Sequence, residues 1–357
     1  MTWNCLGFIS KVMKIFDNKL YQEDLDYICG LDLPWEKLQG KSVLVSGGSG
    51  MIGSCFIDAL MKKSIGCKVY ALGRNAEKAK ARFDYCWSDD NFKFISCDIN
   101  KEQNLDIDKI DYVIHLASNT HPVAYATEPV NTILTNMIGL RNMLDFAQQH
   151  NCERFAFASS NEIYGENRGD VELFDENYCG YINSNTMRAG YPESKRCGEA
   201  LCQAYAKQYE MDVVIPRFTR SYGPTLLSSD TKALSQFLRN GLNKEDIVLK
   251  SEGRQFFSYT YVADAVAGLM YVLLKGEKGE AYNIADEPSD IILRDLAKLI
   301  ADDCGTNVIF DLPSEIEAAG FSKATKARLD GLKLKTLGWR MAYPIEEGIK
   351  RTLSILR

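Results

Sequence analysis

Histidine is scarce in this chain. His115, His121 and His150 are the only three in 357 residues, and none pairs with a cysteine or glutamate at metal-ligand spacing. No metal centre is expected. The eleven cysteines are dispersed without a Cys-x-x-Cys pair. That pattern excludes a disulfide framework and suits free thiols in a reducing compartment, so the cytoplasm is the expected location. Basic blocks are missing too. With a net charge of −6, the chain carries no footprint for nucleic acid. No apolar run approaches the ~20 residues of a membrane span. The N-terminal MTWNCLGFISKVMKIF has lysines inside its apolar stretch and lacks the clean core of a signal peptide. It reads as a short amphipathic helix, packed on the body or on a second subunit, with a membrane surface the less favoured alternative. Internal repeats and low-complexity segments are absent.

Alternation is what the sequence does have. The apolar runs VLVS, KVYAL, FKFIS, YVIHLA, RFAFAS and VVIPRF each adjoin an amphipathic segment of helical period. This predicts an α/β fold, a parallel sheet with helices on both faces. Hydrophobic residues make up 46% of the chain, enough for a large core and two lobes. Residues 1–40 precede the first strand and form an extension. Residues 41–221 plus 255–285 are expected to build the sheet domain. Residues 222–254 plus 286–357 are expected to form a smaller mixed C-terminal lobe.

Ligands of such sheets bind beyond the carboxyl ends of the strands. The first strand candidate, KSVLVS at 41–46, runs directly into Gly47-Gly48-Ser-Gly50-Met51-Ile52-Gly53 and then into a helix-like segment. Glycines between strand and helix let the backbone approach a pyrophosphate at a helix N-terminus. The spacing fits a dinucleotide fingerprint and so implies NAD or NADP. The next strand ends in Gly73-Arg74-Asn75, with no acid for a ribose 2′-hydroxyl. Arg74 leans the cofactor toward NADP, whose 2′-phosphate an arginine accommodates. Farther on, Tyr191-Pro-Glu-Ser-Lys195 sets a phenol and an ammonium on one helix face. A nearby cation favours the phenolate and lowers its pKa, which would let Tyr191 act as a base toward a sugar hydroxyl.

Together these residues resemble the extended short-chain dehydrogenase/reductase family of nucleotide-sugar epimerases, dehydratases and decarboxylases. The resemblance spans roughly 41–350. It includes Asp98-Ile99, His115-Leu-Ala117, Thr135-Asn136, Ser159-Ser-Asn-Glu-Ile-Tyr-Gly165, Arg217-Phe-Thr-Arg-Ser-Tyr-Gly-Pro224, Tyr261-Val-Ala-Asp264 and Tyr282-Asn283. Ala117-Ser118 through Pro122, with Tyr125, Pro129 and Thr132, looks like the UDP-glucuronate decarboxylase branch. The step Ser160-Asn161-Glu162 is similar to Thr-Ser-Glu of those decarboxylases and Thr-Asp-Glu of the 4,6-dehydratases.

The resemblance implies a Rossmann-type doubly wound sheet and a C-terminal lobe for a nucleotide sugar. It also implies a homodimer joined by two helices per subunit. It places Gly47, Gly48, Gly50, Met51, Ile52, Gly53, Arg74, Asp98, Ile99, Ala117, Ser118 and Lys195 at the cofactor. Tyr191, Lys195, Ser160, Asn161 and Glu162 are the implied catalytic group, working through a 4-keto sugar. Pro122, Arg217, Arg220, Arg254 and Arg328 are the substrate candidates. Dehydration needs an acid for the leaving C6 hydroxyl, and the amide of Asn161 has no such proton to give. Loss of CO2 from a carboxylate β to a ketone needs none. The expected function is therefore a lyase, decarboxylation before dehydration, with 4-epimerisation as the alternative and a catalytically silent NAD(P) sensor as the non-enzyme alternative. Glu162 could instead be a structural acceptor, Asn161 a turn residue, and the cluster Phe256, Phe257, Tyr259, Tyr261 plain core. Two departures from the family stand out: Arg220 where members often carry asparagine, and Phe257 where they often carry an arginine.

Overall fold

The computed structural model describes residues 15–102, 105–120, 125, 127–227, 230–311 and 325–357. The expected helix at the extreme N-terminus falls largely outside them, as does Pro122. In chain order the first strands are β1 (Ser42–Ser46), β2 (Lys68–Gly73), β3 (Phe92–Ser96), β4 (Tyr112–His115), β5 (Arg154–Phe157), β6 (Ser159–Ser160) and β7 (Val213–Phe218). With the Ala281–Ile284 strand they form one eight-stranded sheet, ordered Ala281–Ile284, β7, β5, β4, β1, β2, β3, with β6 beside β7. Every pairing in it is parallel. β1 is buried along its whole length, as expected of a central strand covered on both faces, which explains its unbroken apolar run. The chain order reverses between β1 and β4. The two strands diverge there into loops that leave a crevice at their carboxyl ends, which is where α/β sheets take ligands.

A second, smaller sheet centres on the Phe256–Tyr261 strand. It pairs antiparallel with Asp290–Ile292 and parallel with Lys326–Ala327 and Arg220–Tyr222. A two-stranded parallel ribbon, Ile247–Leu249 with Val308–Phe310, lies beyond it. The Val262–Lys275 helix is buried along nearly all of its length, matching its almost unbroken apolar sequence.

Residues 15–40 are built into the body. Asn18 caps the Lys19–Cys29 helix, its side-chain oxygen accepting from Leu20 N at 3.0 Å. The buried face of that helix carries Tyr21, Asp24, Leu25 and Ile28. Tyr21 donates to Asp58 at 2.5 Å, and Asp24 accepts from Tyr261 at 2.5 Å and from Arg351 at 2.8 Å. Tyr27 donates to Asp264 at 3.0 Å. Buried carboxylates need such donors, so the helix is fixed by polar geometry as well as apolar area. Among the described residues no helix is long and apolar enough to cross a membrane, and the cysteines are free thiols.

Candidate active site

A cleft of about 800 Å³ runs from the glycine turn to the second lobe. At its first end, Gly47 has φ +72°, and a β-carbon there would lie 2.8 Å from Ala117 N. A β-carbon on Gly53 would lie 2.5 Å from Gly47 O. The turn therefore closes tightly only with glycine. Gly50 is the N-cap of the Met51–Lys63 helix and brings no side chain to it, so the first N–H groups face the cleft without a side-chain cap. A donor set of this kind suits an anion such as a pyrophosphate. Leu72, Arg74, Asp98 and Ile99 continue the wall. Beneath it, His115 Nδ1 lies 2.8 Å from Ser46 Oγ. Burial, then the charge of Lys195, depresses this imidazole to about 3, so it is neutral.

The other end is organised by the Gly190–Gln208 helix. Its Tyr191 and Lys195 are both buried and both line the cleft. Lys195 Nζ donates to Ala158 O at 2.8 Å and lies 6.0 Å from the Tyr191 ring centre. Burial lowers this ammonium to about 8, with Cys202 and Glu199 opposing. The Tyr191 phenol moves upward, by burial first and by the charge of Glu162 second. Hydrogen bonding from Ser160, the charge of Arg188 and hydrogen bonding from Ser118 act the other way. The expected lowering of the phenol by Lys195 is thus not found: burial outweighs every cation near it. Ser160 caps the short Asn161–Tyr164 turn, its Oγ accepting from Glu162 N at 3.2 Å. Glu162 is bound by Arg188, whose Nη2 reaches Oε1 at 2.9 Å and Oε2 at 2.8 Å. Arg188 also stacks over Tyr125 at 4.9 Å, and Tyr125 stacks on Tyr191 at 4.9 Å. Ser118, Asn136 and Ser194 form a hydrogen-bonded chain (2.7 and 2.8 Å) that ends on the Tyr191 carbonyl at 2.8 Å. It ties the loop after β4 to the helix that carries the phenol.

Residues 43–285 match the NAD dependent epimerase/dehydratase family, more than half of the chain. The chain belongs to that family. Among its curated relatives, UDP-glucuronic acid decarboxylase 1 of Xenopus tropicalis is 30% identical over 318 residues, covering 89% of this chain and 72% of the relative. UDP-glucuronic acid decarboxylase 2 of Arabidopsis thaliana is 31% identical, covering 88% and 67%. Among solved structures, a double mutant of the dTDP-glucose 4,6-dehydratase DesIV from Streptomyces venezuelae, with NAD and DAU bound, superposes with a TM-score of 0.77 at 25% identity, covering 88% of this chain and 96% of its own.

For this family member the cleft gathers Gly47, Gly50, Met51, Ile52, Gly53, Arg74, Asp98, Ile99, Ala117 and Ser118 at one end. It gathers Tyr191, Lys195, Ser160, Asn161, Glu162 and Arg220 at the other. Gly48 does not reach the wall. It lies under the second strand, where a β-carbon would sit 3.0 Å from Ala71 Cβ. Three substrate candidates, Arg217, Arg254 and Arg328, do not line the cleft. Arg217 is buried in an ion pair with Glu199 at 2.7 Å and donates to Tyr164 at 2.9 Å and to the Glu176 carbonyl at 2.7 Å. Arg254 is exposed outside the cleft and pairs with Glu252 at 2.7 Å. Arg328 pairs with Asp290 at 2.7 Å and stacks over Phe256. In each case a carboxylate of the chain itself already meets the guanidinium. Phe257 and Tyr259 are buried yet also line the cleft. Sequence reasoning missed Arg188. Its signal was modest: three residues before Tyr191, it shares that helical turn.

Proposed function

We propose that this chain is a nucleotide-sugar lyase that decarboxylates a nucleotide-activated hexuronic acid, as a UDP-glucuronate decarboxylase does. The observation that carries this reading is the pair Asn161 and Glu162. Asn161 is an amide, and Glu162 is engaged on both oxygens by Arg188. Neither is set to protonate a departing C6 hydroxyl, so 4,6-dehydration lacks its general acid, a contribution of ~10²–10⁴ in rate. A C6 carboxylate β to a C4 carbonyl leaves as CO2 without one. The curated relatives named as decarboxylases support the same choice.

The glycine turn, Asp98 and Lys195 would hold the dinucleotide. When bound, an oxidised nicotinamide supplies the acceptor and later the donor of a hydride. The chain's own residues do the rest. Tyr191 takes the proton of the sugar C4 hydroxyl, and Ser160 hydrogen-bonds the same oxygen. Lys195, anchored on the Ala158 carbonyl, offers its charge to the Tyr191 phenolate before that proton is taken. On decarboxylation the C5–C6 bond breaks and its electron pair moves onto the C4 oxygen as an enolate, which the Tyr191 and Ser160 hydroxyls stabilise. A proton then returns to C5.

Three finer readings accompany this. Arg74, at the end of a strand with no acid after it, is read as admitting a 2′-phosphate, so NADP is favoured over NAD. The lobe formed by 222–254 plus 286–357 is read as the holder of the nucleotide sugar. Val130, Ile133, Leu134 and Ile138 expose one apolar face of helix, which a second copy of the chain would cover. Incubation with UDP-glucuronate, UDP-glucose and dTDP-glucose, followed by product mass, tests the reaction. Loss of CO2 from the uronate alone is expected, and abolished in Tyr191→Phe. Loss of water, or inverted stereochemistry at unchanged mass, would point to dehydration or to 4-epimerisation instead.

A further inference from the structure

Three charged side chains line the cleft together with Tyr191: Glu162, Arg188 and Arg220. The two arginines outnumber the carboxylate. Lys232, also on the wall, is answered by Asp230 at 3.6 Å, and Lys195 donates to the Ala158 carbonyl. Arg188 spends only Nη2 on Glu162; its Nη1 is buried with no hydrogen-bond partner. Arg220 Nη1 is likewise buried and unpartnered. Buried donors without acceptors are costly. Two of them on guanidinium groups of one cleft mark a place for an oxyanion.

The architecture explains why Arg220 is held there. Arg220 opposes Tyr259 in the register of the Arg220–Tyr222 and Phe256–Tyr261 strands. Its guanidinium carbon lies over the Phe257 ring, 3.5 Å from the centre. Stacking fixes the plane and leaves the edge, where the N–H groups point, for a planar two-oxygen group. The family arginine often seen at the position of Phe257 is missing, and Arg220 supplies a cation over that same residue from the adjacent strand.

We propose that Arg188 and Arg220 together form the receptor for the carboxylate of the sugar and so select a uronate over a neutral hexose. This rests on the decarboxylase reading above. An oxyanion at this place could also be a phosphate of the nucleotide, but Arg188 holds Glu162 and stacks over Tyr125, which stacks on Tyr191, and this sets the receptor beside the reacting carbons.

The test is calorimetric titration of the wild type, Arg220→Met and Arg188→Gln with UDP-glucuronate, UDP-glucose and UDP. Each variant should lose about 10- to 100-fold in affinity for UDP-glucuronate, the range of one charged hydrogen bond. Binding of UDP-glucose and UDP should move less than about threefold, which also shows the fold intact. If Arg220→Met does not fold, Arg188→Gln carries the same comparison. Equal losses for all three ligands would assign the arginines to the diphosphate and overturn the proposal, as would no loss at all. A wild type that neither binds nor converts a uronate defeats the proposed function itself. A wild type that does so beside unselective variants defeats this inference alone.

Discussion

Replacing Lys195 by methionine should stabilise the protein while disabling it. The lysine is 3% exposed, and burial takes its ammonium from 10.5 to about 8. At pH 7, below both values, that difference amounts to roughly 3 kcal/mol against the folded, protonated state. Methionine keeps the length and removes the charge. It also strands the Ala158 carbonyl, which now accepts from Lys195 at 2.8 Å, at about 1–2 kcal/mol. Lys195→Met should therefore be about 1–2 kcal/mol more stable at pH 7. The sign with pH follows from the proton count. Between about 8 and 10.5 the unfolded lysine holds more proton than the folded one, so the wild type gains stability as pH rises. At pH 9.5 its handicap shrinks to about 1 kcal/mol, and the gap to the variant narrows by about 2 kcal/mol. Urea unfolding of both proteins at pH 7 and 9.5, followed by tryptophan fluorescence, reads this directly. Turnover of the sugar nucleotide should fall by at least ~10²-fold in the variant. A variant clearly less stable than the wild type at pH 7, or a gap that ignores pH, would refute the reasoning.

Three further outcomes follow from the same coordinates. Gly53→Ala puts a methyl 2.5 Å from Gly47 O and 3.0 Å from Gly48 Cα. It should cost about 1–3 kcal/mol in unfolding experiments and weaken dinucleotide binding, seen by reduced-nicotinamide fluorescence. Arg74→Gln should reduce affinity for NADPH by about tenfold or more, the scale of one lost charge-assisted contact, and leave NADH binding unchanged; equal effects on both would remove Arg74 from cofactor choice. Ile133→Asp places a charge on the exposed apolar face formed with Val130, Leu134 and Ile138 and should shift a dimer to monomer in light scattering, with no change in secondary structure by circular dichroism.

The elements legible in the sequence are those specified by local chemistry. β1 reads as a strand because both its faces are covered, which leaves SVLVS no polar alternation to confuse the pattern. The glycine turn is legible because only glycine tolerates the approach of Ala117 N to position 47. Tyr191 and Lys195 are legible because helical spacing fixes which residues share a face. The arginines were not. Arg217, Arg254 and Arg328 announce a cation but not its partner, and Glu199, Glu252 and Asp290 answer them within the chain. Two of those three pairs join residues well apart in sequence, where no spacing rule applies. The extension was opaque for the same reason. Tyr21, Asp24 and Tyr27 look like an ordinary surface helix until Asp58, Tyr261, Arg351 and Asp264 are brought against it.

The titrations at the site bear on when it can act. Burial drives Tyr191 upward and Lys195 downward, so both drift toward their uncharged forms. Glu162 pushes the phenol further the same way, and only Arg188 and the Ser160 and Ser118 hydroxyls resist. A tyrosine in this state is a poor base at neutral pH. In the protein alone, burial and Glu162 therefore both favour the protonated phenol. A positive charge beside the phenol would reverse the balance, as an oxidised nicotinamide would supply and a reduced one would not. A sugar carboxylate that neutralises Arg188 would act the other way, since the charge of Arg188 favours the phenolate. The phenol is held protonated by the same burial that would strengthen its bond to a cation, since a low dielectric magnifies both effects. The phenolate is thus disfavoured by the burial and the Glu162 that surround it, and favoured by added positive charge.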